Sequence, residues 1–141
     1  MYIKEFNVIY TEKKTDEYRL YICKKSLENQ LYRIFELADR NKMAEYIKYF
    51  NSLNFKDFYG DFSIDEKYYI VFKHPDGIIA GDSDWKKLSA KDIVKALVLQ
   101  NPPIEIAVPM LSFNNIFVYE KEIRFAYVLP MLDNKIGRAH V

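Results

Sequence analysis

The thiol of Cys23 and the imidazole of His74 are the groups in this sequence best suited to nucleophilic or metal chemistry, and neither has a companion. The chain holds a single cysteine, and its second histidine, His140, stands next to the last residue. No zinc-ligand spacing results, and no histidine is placed to activate the thiol. Cys23 is expected as a small buried hydrophobe within a strand, and His74, beside Pro75, as a hinge or loop residue. Twelve tyrosines and ten phenylalanines interleaved with lysine invite base stacking on a single strand. Most of these rings fall on alternating faces expected to be core, so no nucleic-acid partner is expected. The charge balance agrees: 21 Lys and Arg against 20 Asp and Glu leave +1, without the basic excess that polyanion binding uses.

The elements that would position these groups can be read from period and punctuation. Phe6, Val8 and Tyr10 alternate with Lys4, Glu5 and Asn7, a strand over Tyr2 to Tyr10 with one covered face. Strands over Tyr18 to Lys24 and Leu31 to Leu37 follow across short polar links, an antiparallel meander. Asp39 is a predicted N-cap, and Met43, Ile47 and Phe50 then recur at helical spacing through Arg40 to Leu53. Phe55 to Phe62 and Tyr68 to Phe72 read as two more strands. His74-Pro75-Asp76-Gly77 is a turn, with proline fixing φ and glycine taking φ > 0. A connecting loop leads to a second helix over 88–100, capped at Ser89 and stopped by Asn101-Pro102-Pro103. Asn115 to Tyr119 and Glu122 to Val128 are a predicted hairpin. The expected class is α+β: a five-stranded antiparallel sheet with one helix over 1–77, then a helix and a β-hairpin over 78–135.

A chain of 141 residues, 50% hydrophobic, has the size of one compact domain that needs no disulfide or metal to hold a core. One cysteine and no apolar leader predict a cytoplasmic setting, and no run approaches the ~20 apolar residues of a membrane span.

This order of elements resembles the small lobe of a protein kinase running into its large lobe. The likeness is carried by Glu45 to Gly77, with Phe58-Tyr59-Gly60-Asp61-Phe62 and Tyr69-Ile70-Val71-Phe72, and by Leu111 to Leu129, with Asn115-Ile116-Phe117-Val118. Set against the kinase pattern, the phosphoryl-transfer groups are missing. The first hairpin has no glycine, and Phe35, with Arg33 two residues before it, stands for the nucleotide-pairing lysine. The His-Arg-Asp positions fall on Val108, Pro109 and Met110, and those of Asp-Phe-Gly on Tyr127, Val128 and Leu129. Asn115 alone survives as a candidate cofactor-binding residue. One asparagine does not hold Mg²⁺, so its expected role is a loop amide tying local backbone. Glu45, near the helix carboxylate of kinases, has no lysine to pair with and is expected as a solvated side chain.

The degenerate pattern is similar to bacterial pseudokinase domains, such as the cytosolic domain of the membrane-anchored pseudokinase component of Gram-positive type VII secretion systems. It implies no enzyme activity, no cofactor and no metal. The expected role is protein interaction or scaffolding, within a larger protein whose membrane anchor lies C-terminal to this segment. The alternatives are a divergent active kinase fragment and an unrelated small α+β binding domain. Ile136 to Val141, Ile-Gly-Arg-Ala-His-Val, resemble translated sequencing adapter, so 136–141 are expected as a non-native tail on a truncated natural sequence.

Overall fold

The computed structural model describes residues 1–53, 56–79 and 88–130; the expected tail 136–141 and the end of the expected second unit, 131–135, lie outside them. Two sheets and three α-helices make up the described chain. The larger sheet is antiparallel, with spatial order β1 (Tyr2–Ile3), β2 (Phe6–Lys14), β3 (Tyr18–Lys25), β4 (Leu31–Leu37), β6 (Lys67–His74), β5 (Phe58–Ile64). Helix α1 (Arg40–Asn51) joins β4 to β5. The smaller sheet pairs β7 (Ile78–Ile79), β8 (Ile116–Tyr119) and β9 (Glu122–Phe125), with α2 (Ala90–Gln100) and α3 (Ile104–Met110) between β7 and β8.

The expected α+β architecture of five strands with one helix, then one helix with a hairpin, is therefore corrected. The described chain is mostly β: its larger sheet has six strands, its second sheet has three, and a third helix stands where a loop was expected. The sixth strand arises because the predicted Tyr2 to Tyr10 run breaks at Lys4, whose φ is 52°. Ile3 and Phe6 are both core side chains, yet their odd spacing would put them on opposite faces of a straight strand. Reversal at Lys4-Glu5 pairs Ile3 with Phe6 and brings both onto one face. The third strand of the small sheet is only two residues long, too short to carry a period. Helix α3 has Pro103 as its N-cap and contains Pro109, residues that read as breakers in sequence.

Both faces of the large sheet are buried, by different means. On one face Leu20, Phe35, Leu37, Ile70 and Phe72 meet α1 through Met43, Tyr46 and Phe50, and continue without a break into Ile106, Met110, Ile116, Phe125 and Tyr127. One core thus unites residues from both sides of Gly77, whose φ is 108° and whose Cα lies so close to β8 that a Cβ would meet the Val118 carbonyl oxygen at 2.4 Å. The other face covers itself. Phe6 on β2 and Phe62 on β5 are four strand steps apart, roughly 19 Å in a flat sheet. Their rings stack with centroids 6.4 Å apart, so the sheet curls into a half-barrel.

Asp39 caps α1 as expected, accepting from the Asn41 and Lys42 amides at 2.9 and 3.1 Å. Phe50 is the anchor of the helix, with ring centroids 5.0 Å from Phe58 and 5.3 Å from Phe72. Phe50→Ala is expected to lower the unfolding free energy by about 3–5 kcal/mol; a urea titration showing a loss below about 1 kcal/mol would contradict this packing.

Candidate functional site

A cleft of about 340 Å³ opens between the large sheet and the segment around the 3₁₀ turn Phe113–Asn115. Its sheet wall carries Glu12, Lys13, Tyr18, Leu20, Arg33 and Phe35; Ile79, Ser112, Asn114, Asn115 and Val128 face them. The volume is that of a small-molecule pocket, and its chemistry is set by Arg33.

Arg33 is 1% exposed. It shares a face of β4 with Phe35, whose ring centroid lies 5.8 Å from the guanidinium carbon. Its Nη1 and Nη2 reach the two Glu12 carboxylate oxygens, both at 3.3 Å; Nε donates to the Tyr127 carbonyl at 2.9 Å; and Nη1 stands 3.3 Å from His74 Nδ1. Burial pulls the Arg33 pKa down while Glu12 opposes the fall, and the group keeps its charge. A bulge makes this pairing possible. Thr11 pairs with Tyr21 and Lys13 with Leu20, leaving Glu12 as the extra residue of β2.

His74 is pushed down to about 3, first by desolvation and then by the Arg33 charge. A neutral ring with its proton on Nε2 presents Nδ1 as acceptor to Arg33. The ring also meets Phe117 edge to face at 4.9 Å. The hinge or loop role expected for His74 is thus replaced by a buried place at the end of β6. Cys23 is fully buried on the self-covered face, and desolvation pushes its thiol up to about 12, so it stays protonated.

The kinase-derived positions scatter. Phe35 lines the cleft floor, with Tyr18 edge-on at 5.2 Å. Asn115 lines it too, its amide donating to the Pro109 carbonyl at 3.4 Å and the Ser112 hydroxyl at 3.3 Å. Val108 and Pro109 lie on the exposed side of α3, while Met110 is fully buried. Tyr127 is a core ring, stacked on Phe72 at 5.4 Å, with its hydroxyl donating to Asp57 at 2.9 Å. Glu45 sits half-buried on α1 and is not among the cleft-lining residues. Among the described residues no group of three or more His, Cys, Asp or Glu is placed to hold a metal ion.

No protein-family model matches the chain, and no curated protein matches it. Among the described residues no helix is long and apolar enough to cross a membrane.

The Glu12–Arg33 pair is the part of the site that sequence analysis missed. The signal was a lone arginine on an otherwise apolar face of β4; its partner, 21 residues earlier, is placed only by the bulge. Glu12→Gln is expected to destabilise more than the double replacement Glu12→Leu with Arg33→Met, because it strands a buried charge. Equal or reversed losses in urea unfolding would contradict a paired guanidinium. Between pH 3 and 6.5 the unfolded chain holds a proton on His74 that the folded chain lacks, so stability is complete above 6.5 and falls as pH drops. His74→Asn keeps an acceptor for Arg33 and is expected to remove up to about 1.4 kcal/mol per pH unit of that fall. Matching slopes in the parent and variant would contradict it.

Proposed function

We propose that this chain is a non-catalytic protein-interaction or scaffold module of the pseudokinase kind, acting in the cytoplasm. The observation that carries this reading is the state of the cleft. Glu12 is the one carboxylate among its described lining residues, and it is bound to Arg33; the guanidinium is in turn committed to Glu12, the Tyr127 carbonyl and His74. Phosphoryl transfer asks for a carboxylate base and metal-binding carboxylates. Beside that committed pair the lining offers two amides, the hydroxyls of Tyr18 and Ser112, Lys13 and apolar side chains.

The surface supports the same reading. Val94, Val98 and Leu99 on α2 and Ile104 and Val108 on α3 are between 57% and 77% exposed. Single exposed aliphatics are ordinary, but five on two consecutive helices are what a protein contact uses.

A thermal-shift titration with ATP and Mg²⁺ tests the reading. No saturable rise in melting temperature is expected at millimolar nucleotide. A rise of several degrees, matching the ~3–4 kcal/mol that ligand at 100–1,000 times Kd supplies, would overturn it.

A further inference from the structure

Three aromatic rings close around one ammonium at the rim where the half-barrel curls over. Lys25 ends β3; Phe6 comes from β2, Tyr32 from β4 and Tyr59 from the bulge of β5. The Lys25 Nζ lies 4.6 Å from the Tyr59 centroid, 5.5 Å from that of Phe6 and 5.7 Å from that of Tyr32. It also donates to the Tyr59 hydroxyl. The rings brace one another edge to face, with centroids 5.0 to 5.9 Å apart. Glu28 adds an anionic side: it accepts from the Tyr32 hydroxyl at 2.9 Å and stands 4.0 Å from Nζ.

The ring faces of Phe6 and Tyr32, the phenol oxygen of Tyr59 and the Glu28 carboxylate converging on a point are the chemistry of an organic-ammonium receptor. A primary ammonium is strongly hydrated and gives up water to enter. A methylated ammonium has fewer N–H donors to satisfy and presents more polarisable surface to the rings, so it fits the box better than the lysine now there. The surroundings allow entry. Tyr59 is 44% exposed, with Phe6 and Tyr32 buried behind it, and a second cleft of about 170 Å³ shares Phe6 and Tyr59 and is lined by Lys4 as well as by the carboxylates of Glu5 and Asp61.

We propose that the Phe6–Tyr32–Tyr59 box is a binding site for methylated ammonium groups, kept shut by the chain's own Lys25. It is separate from the Glu12–Arg33 cleft and stands or falls independently of the interaction reading. The ammonium could be borne by a methylated lysine of another protein or by a free quaternary amine.

Titration of the full chain and of Lys25→Ala with tetramethylammonium chloride and with a trimethyllysine peptide, followed by NMR against sodium chloride controls, tests this. Lys25→Ala is expected to bind at least about tenfold tighter than the parent, since a tethered competitor has been removed, and Tyr59→Ala in that background is expected to abolish binding. Preference for the peptide assigns the ligand to a protein side chain; preference for the salt assigns it to a free amine. Absence of saturable millimolar binding by Lys25→Ala, or binding that survives Tyr59→Ala, would overturn the proposal. Should Lys25→Ala fail to fold, the parent with isotopically methylated lysines decides. Its Lys25 methyl signal is expected upfield of the others and to move back as tetramethylammonium is added; a signal that stays put refutes the site.

Discussion

A guanidinium taken out of water costs several kcal/mol unless its donors are met, and Arg33 imposes that condition on three separate stretches of chain. Glu12 must leave the regular register of β2 to reach it, His74 must remain neutral beside it, and the carbonyl of Tyr127 must be held against the large sheet. The last of these ties the chain after β9 to β4, across 94 residues of sequence. The same network that docks the small sheet on the large one thus neutralises the Arg33 charge within the cleft wall.

Much of the large sheet was legible from the sequence. Strands β3 and β4 fall at or within a residue of their expected limits because short polar links bound their apolar runs, and Asp39, Met43 and Phe50 mark α1, which is buried along one side. What escaped is what breaks a period. The odd spacing of Ile3 and Phe6 hid a reversal inside one predicted strand, and Glu12 left the alternation of β2. Around α3, Pro103 and Pro109 masked the helical spacing of Ile106, Ala107 and Met110. Of the candidate site, Phe35 and Asn115 do reach the cleft, while Glu45 and Tyr127 do not line it. Distances across the sheet, on which the Glu12–Arg33 pair and the three-ring box depend, have no sequence signature.

The curl of the sheet follows from local chemistry as well. The β5–β6 turn places Asp65 and Glu66 at φ 50° and 66°, and the β8–β9 turn places Glu120 at 57°, left-handed conformations that match the right-handed twist of their strands without any glycine. In β5, Phe58 packs with the α1 core and Phe62 with the self-covered face, although even spacing would put them on one side. The register shift between Phe58 and Gly60 resolves that conflict and turns Tyr59 toward Phe6 and Tyr32. Twist and bulge together bring the first and last long strands within ring contact.

At the far end of the molecule, the Gln100 carboxamide donates to the Phe125 carbonyl and accepts from the Phe125 amide, both at 2.9 Å. A single side chain from the end of α2 thereby behaves as one rung of an additional strand. At that residue the margin of the small sheet offers no vacant backbone groups to a neighbouring chain, which makes an amide on a helix a guard against unwanted polymerisation.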